Sequence, residues 1–264
     1  MDIYPLLKNL RERSPLVHHI TNWVTIYDCA NVVKILGASP VMAHAKEESA
    51  DMAAISSALV LNIGTLTTEI IDSMISAARS ANKKGIPVVL DVCGAGATEF
   101  RNKKCMELIK KVKIDIIKGN SSEIAKIAGE NVKTKGVDAG TVEKDLIKIA
   151  NKLAKNKKCV VVITGKEDIS TDGTATYIVK NGHKMMSHVV GTGCMASSAI
   201  GAFAAIEKDL AKAAAAALST FGIAGEIAAK KCSGPASFKS ELFDAIYNLN
   251  KKTCEKMQKI KKLQ

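Results

Sequence analysis

Aromatic residues are scarce in this chain, 4% of the total with a single tryptophan, and no nucleic-acid recognition motif accompanies its formal charge of +12. The lysines are dispersed at Lys83-Lys84, Lys103-Lys104, Lys110-Lys111, between Lys155 and Lys158, and along the tail from Lys251 to Lys262. Such spacing fits solvated helix faces, not one phosphate-tracking stripe, so no nucleic-acid partner is expected. A basic surface of this kind still attracts a polyanionic small substrate. The seven cysteines (29, 93, 105, 159, 194, 232 and 254) never form a C-x-x-C pair, which argues against a disulfide framework or a zinc site and makes most of them small core hydrophobes. No apolar run approaches the ~20 residues of a membrane span. The N-terminal M-D-I-Y-P-L-L-K-N-L-R-E-R interleaves charges with apolar residues, unlike a signal or transit peptide. A cytoplasmic protein with no membrane partner is expected. No Pro/Ser-rich linker interrupts the 264 residues, so one domain over 1–264 is expected. Both common nucleotide motifs are missing as well: no G-x-G-x-x-G fingerprint and no G-x-x-x-x-G-K-[ST] loop.

What is present is an alternation. Apolar periodicity predicts helices over 6–13, 24–36, 47–57, 68–83, 102–112 and 142–153, interleaved with strands over 15–21, 59–64, 88–91, 114–117 and 160–163. Gly37 stops the second helix, and Thr67 is placed to cap the one that follows it by position. The pattern changes at Asp172-Gly173 and Asn181-Gly182, two turn dipeptides around residues 174–179. They predict antiparallel hairpins at a sheet edge, the last strand running over 184–190. Helices over 194–207, 210–230 and 237–262 are expected to complete the chain. The fold class is therefore α/β, with a mostly parallel sheet and an antiparallel edge.

Residues 188–203, H-V-V-G-T-G-C-M-A-S-S-A-I-G-A-F, hold the first candidate site. A β-branched run meets two glycines, Gly191 and Gly193, and then a helix start whose N–H groups can bind an anion. Cys194 points its sulfur either into that gap or into the core, and an ordinary turn with a buried thiol explains the stretch equally well. Asp91 ends a strand beside the glycine loop V-C-G-A-G-A-T, where open α/β sheets bind ligands. Its carboxylate can hold Mg²⁺ directly or through water. Asn120 with Glu123 three positions later reads as a capping box, with no functional role required. Met42 can pack on a small apolar ligand or in the core. His18 and His19, adjacent on a strand, point to opposite faces and read as structural.

The segments H-H-I-T-N (18–22), G-A-S-P-V-M-A-H-A-K-E-E (37–48), A-L-V-L-N-I-G-T-L (58–66), D-V-C-G-A-G-A-T (91–98), K-G-N-S-S-E-I (118–124), V-I-T-G (162–165) and G-T-G-C (191–194) together resemble the hydroxyethylthiazole kinases of thiamine salvage, in order along nearly the whole chain. The resemblance implies a ribokinase-like three-layer αβα fold and a homotrimer with active sites between subunits. It also implies transfer of the ATP γ-phosphoryl group to the hydroxyl of 4-methyl-5-(2-hydroxyethyl)thiazole. Position by position, it puts Asn22, Met42, Gly64 and Gly191 beside the thiazole and Lys118, Thr164 and Asp91 at ATP. Asp91 and Glu123 would hold Mg²⁺, Gly191, Thr192 and Gly193 would form the anion hole, and Cys194 stands where ribokinase-like relatives usually carry an aspartate base. Two departures stand out. Lys118 replaces a common arginine, substituting a point charge for a bidentate fork, and D-P-V-G becomes Asp91-Val92-Cys93-Gly94, losing proline's fixed φ. A ribokinase-like ADP- or ATP-dependent hydrate dehydratase would share the fold and nucleotide site without needing an acceptor pocket on Asn22 and Met42. A basic nucleic-acid-binding protein would ignore ATP.

Overall fold

Runs such as Val88-Val89-Leu90 and Val160-Val161-Val162-Ile163 send alternate side chains to opposite faces of a sheet, and both faces are apolar, which calls for helices on each side. The computed structural model, which describes residues 1–130 and 146–263, shows that arrangement. In chain order the elements are α1 (Tyr4–Arg13), β1 (Leu16–Ile20), α2 (Ile26–Leu36), β2 (Ser39–Val41), α3 (Ser49–Ile55), β3 (Ala58–Asn62), α4 (Thr68–Lys84), β4 (Val88–Asp91), α5 (Glu99–Lys111), β5 (Ile116–Asn120) and α6 (Ser121–Ile127). Then come α7 (Leu146–Lys157), β6 (Val160–Thr164), β7 (Asp168–Thr171), β8 (Thr176–Val179), a 3-10 helix (Lys184–His188), α8 (Thr192–Ala204), α9 (Leu210–Lys231), α10 (Pro235–Tyr247), α11 (Lys251–Met257) and β9 (Ile260–Leu263). The helix expected over 142–153 is seen as α7, and residues 142–145 lie outside the described residues.

The sheet order is β2-β1-β3-β4-β5-β6-β7-β8-β9. The pairs from β2 to β6 are parallel and those from β6 to β9 antiparallel. Val60, Val89, Ile116 and Val162 face a core shared with α1, α2, α8, α9 and α10, whereas Leu61, Leu90, Ile117 and Val161 face one shared with α4, α5, α6 and α7. This is the three-layer α/β arrangement. Helix ends follow local chemistry: the Thr67 hydroxyl accepts the Ile70 N–H at 3.2 Å and the Thr98 hydroxyl accepts that of Arg101 at 3.2 Å, capping α4 and α5. Helix α9 is long and apolar enough to cross a membrane, but 78% of its most apolar window is buried inside the protein, as in a core helix.

Two expectations fail at the sheet edge. The strand expected over 184–190 is a 3-10 helix over Lys184–His188, and the helix expected over 237–262 divides into α10 and α11 and ends in strand β9. Asn181 explains both. Its amide donates to Glu226 Oε1 (3.0 Å) and the Met257 carbonyl (2.8 Å), and its Oδ1 accepts from Ser219 Oγ (2.7 Å) and Lys259 N–H (2.8 Å). Asn181 thus fastens the chain to α9 and the C-terminal segment instead of turning a hairpin, and β9 takes the edge beside β8.

Candidate active site

Because β2, β1, β3, β4, β5 and β6 run parallel, their C-terminal ends open on one edge, and Asn22, Met42, Gly64, Asp91, Lys118 and Thr164 all lie at or just beyond those ends. Helix α8 packs against β3 and β4 and brings its first turn to the same edge. Sheet register sets Asp91 opposite Lys118, and Asn120 opposite Thr164.

The centre is a buried charge cluster. Lys118 Nζ lies 3.2 Å from Asp91 Oδ2 and donates to the Gly193 carbonyl at 3.0 Å, and Ser197 Oγ donates to the same Asp91 oxygen at 2.6 Å. Asp91 Oδ1 is buried and has no protein partner. Burial would pull the Lys118 ammonium down, but Asp91 and the neighbouring acidic groups outweigh it and hold the lysine charged, above its ordinary range. Glu123 completes a capping box on α6. Its Oε2 accepts the Asn120 N–H and its Oε1 the Gly94 N–H, each at 2.7 Å, while Asn120 Oδ1 accepts the Glu123 N–H at 3.0 Å. Burial first, then Asp91, push Glu123 up to about 7, against the pull of Lys118. The capping reading is thus right as geometry, and the same residue sits in the field of Asp91.

Among the described residues no group of three or more His, Cys, Asp or Glu could hold a metal. Two carboxylates, one with an unpartnered buried oxygen, nevertheless fit Mg²⁺, which takes oxygen ligands, keeps several waters and shares substrate phosphates.

Gly191 sits at φ +92°, and a Cβ there would lie 2.5 Å from Thr25 Cγ2, so both conformation and space demand glycine. The N–H groups of Thr192, Gly193 and Cys194 precede the first bond of α8, from Met195 N–H to the Gly191 carbonyl at 2.8 Å, and stand at the helix start, where N–H groups can meet an anion. Cys194 is partly buried. The neighbouring Cys93 lowers its pKa below that of an ordinary thiol, burial and Asp91 oppose, and Lys118 assists, while Cys93 itself is pushed up.

Asn22 is spent within the protein. Its amide donates to Asn62 Oδ1 (3.0 Å) and Cys194 Sγ (3.3 Å), and its Oδ1 accepts the N–H (3.1 Å) and hydroxyl (3.0 Å) of Thr25. It therefore orients the thiol and has no donor left for a ligand. Met42 follows the edge strand β2 and is half-buried. Its carbonyl accepts from His44 Nδ1 (3.0 Å); His44 also bonds the Thr21 backbone and stacks on Trp23, centroids 4.8 Å apart. The Met42 loop is so fastened beside Asn22. Thr164 Oγ1 reaches the Gly119 carbonyl at 3.4 Å. His18 and His19 are buried and bonded to the Ala43 and Val17 carbonyls, with burial lowering both, His19 to about 3. They are neutral core histidines, away from this chemistry.

Sequence reasoning missed Ser197, Asn62 and Arg101. Ser197 stands four residues after Gly193, one turn along the same helix, and Asn62 is a polar end to a buried strand, the signal that had marked Asp91. Arg101 had no signal, because its partners are main-chain carbonyls on other loops.

A family model described as the hydroxyethylthiazole kinase family matches residues 7–252. A hydroxyethylthiazole kinase of Methanosarcina mazei is 58% identical over 257 residues, 97% of this chain and 98% of the relative. One of Thermoanaerobacter pseudethanolicus is 48% identical, covering 97% of each chain. The solved structure of the hydroxyethylthiazole kinase protein from Pyrococcus horikoshii OT3 superposes with a TM-score of 0.91 at 40% identity, covering 99% of both chains. A pyridoxal kinase from Staphylococcus aureus, solved with ADP, shares the fold alone, with a TM-score of 0.62 at 16% identity over 81% of this chain and 88% of that one.

Proposed function

Since this chain belongs to the hydroxyethylthiazole kinase family, the thiamine-salvage phosphotransferases that use ATP, we propose that the C-terminal edge of its sheet carries out the transfer, with each residue in the role that its surroundings favour. The observation that carries this reading is the meeting of Lys118, Asp91 and Ser197 with the first turn of α8 at one edge.

Asp91 and Glu123 would hold Mg²⁺, which would supply positive charge to neutralise the ATP phosphates. Lys118 supplies a fixed cation beside the same phosphates, and Thr164 a hydroxyl at the neighbouring strand end. The N–H groups from Thr192 to Cys194 meet the charge on the transferring group, in a transition state that depends mainly on positioning and neutralisation. Cys194 accepts the proton of the acceptor hydroxyl. Asn22 hydrogen-bonds its sulfur, and Cys93 and Lys118 favour the thiolate, so the proton has a destination near neutral pH. Gly64 and Met42 form the apolar wall for the thiazole ring.

The single sheet that runs through the nine strands of the described residues supports one catalytic domain over 1–264. Trp23, Val24 and Tyr27 are exposed around Thr25, which packs on Gly191, and Val190 before that glycine is exposed as well; such apolar exposure at the mouth of the site supports a homotrimer with interfacial active sites. We place the protein in the cytoplasm. Met42→Ala tests the acceptor wall. Losing the thioether contact should raise the KM for the thiazole alcohol by up to roughly tenfold, about 1.4 kcal/mol, with the ATP KM unchanged. An unchanged thiazole KM would remove Met42 from the pocket.

A further inference from the structure

We propose that Arg101 is a positioning residue that registers the acceptor wall against the loop of the metal-binding carboxylate. The inference rests on the site assignment above. Arg101 lies in the first turn of α5 and sends its guanidinium back to three main-chain carbonyls: Nη1 to Ile63 (2.7 Å) and Cys93 (3.2 Å), and Nη2 to Gly64 (2.6 Å). The first and third carbonyls follow β3, and the second follows β4. The loop after β4 is shaped around this group. Gly94 has φ +77°, and a Cβ there would stand 3.1 Å from Nη1 and 3.3 Å from Cζ.

The placement matters because the sheet stops holding these loops together at this point. The ladder between β3 and β4 ends with Asn62 opposite Asp91 and the Ile63 N–H on the Asp91 carbonyl at 3.3 Å. Beyond it, the guanidinium sets the spacing of residues 63–64 from residue 93. Hydrogen bonds then lead from each loop into the chemistry. On one side Gly64 N–H donates to Asn62 Oδ1 (2.9 Å), which accepts from the Asn22 amide that holds Cys194. On the other, Gly94 N–H donates to Glu123. A planar fork can span three carbonyls in fixed directions, which a lysine ammonium cannot reproduce. A displacement on the order of 1 Å between reacting groups costs about 10²-fold in rate.

The test is Arg101→Lys and Arg101→Ala, measuring thiazole-alcohol binding by calorimetry without nucleotide, ATP KM, kcat and Tm. Arg101→Lys should weaken thiazole binding and lower kcat, each by roughly tenfold or more, with ATP KM within about twofold. Methylguanidinium should restore part of the thiazole affinity of Arg101→Ala, and methylammonium at the same concentration should not. The proposal is overturned if Arg101→Lys matches the parent protein in thiazole binding and kcat. It is equally overturned if thiazole binding, ATP KM and Tm all deteriorate together without guanidinium rescue, which is a plain folding role. Should Arg101→Ala fail to fold, Arg101→Lys decides alone. Failure of the site assignment itself is read separately, from Met42→Ala leaving thiazole binding intact.

Discussion

Replacing Glu123 with Gln sets two effects against each other. The carboxylate accepts two backbone N–H groups at 2.7 Å, one on each oxygen. Glutamine offers one oxygen, so one buried N–H is left facing an amide NH₂, a loss of about 1–3 kcal/mol. Against this, burial and Asp91 raise the Glu123 pKa from its ordinary 4.5 to about 7. A raised carboxyl pKa means that the folded protein binds this proton more tightly than the unfolded chain. The stability from that proton is fully present below pH 4.5, falls as pH rises, and is gone above pH 7, a difference of about 3 kcal/mol in all. Glutamine never ionises and escapes the loss. Between pH 5 and pH 8 the metal-free parent protein should therefore lose about 2–3 kcal/mol relative to Glu123→Gln, or roughly 4–12 °C in the difference between their Tm values. Thermal melts of both proteins at the two pH values measure this directly. Added Mg²⁺ at pH 8 should raise the Tm of the parent more than that of the variant, because only the carboxylate charge gains from a nearby cation. Turnover of the variant should fall by roughly 10- to 100-fold. A Tm difference that does not move with pH would refute the reasoning and leave Glu123 as a helix cap alone.

Cys194→Ala should lower kcat by roughly 10- to 10³-fold with ATP binding near normal, since the backbone N–H groups of the anion hole stay, and Cys194→Asp should remain active. Steady-state kinetics check both, and full kcat in the alanine variant would make the thiol mere packing. Gly191→Ala puts a Cβ 2.5 Å from Thr25 Cγ2 at φ +92°. It should disturb the start of α8 and weaken anion binding, and unchanged ATP affinity by calorimetry would contradict the role given to that turn.

Much of this arrangement was legible along the chain because it depends on short-range chemistry. The strand over Val88–Asp91, the Thr67 cap and the Asn120–Glu123 box all rest on residues within a turn of one another, and each is found in the structure. Asp91 was readable as a polar residue ending an apolar strand. The antiparallel edge was legible at Asp172-Gly173 but its outermost part was not, because Asn181-Gly182 has the local signature of a hairpin while Asn181 bonds Glu226, Met257 and Lys259, which are distant in sequence. Asn22 shows the same limit at the site. The family resemblance put it beside the thiazole, but the use of its amide on Asn62 and Cys194 depends on partners 40 and 172 residues away. Arg101 lay beyond reach for the same reason, since backbone carbonyls leave no mark on a sequence.

The central claim is that this edge transfers phosphate to an alcohol held beside Cys194. It is tested most directly by measuring ADP release from Mg²⁺-ATP with the hydroxyethyl thiazole and with an analogue carrying ethyl in its place. The analogue should bind and release no ADP above background, because the proton that Cys194 takes and the oxygen that receives the phosphoryl group are both missing. Equal ADP release with the two compounds would mean hydrolysis or another chemistry at this edge and would contradict the account.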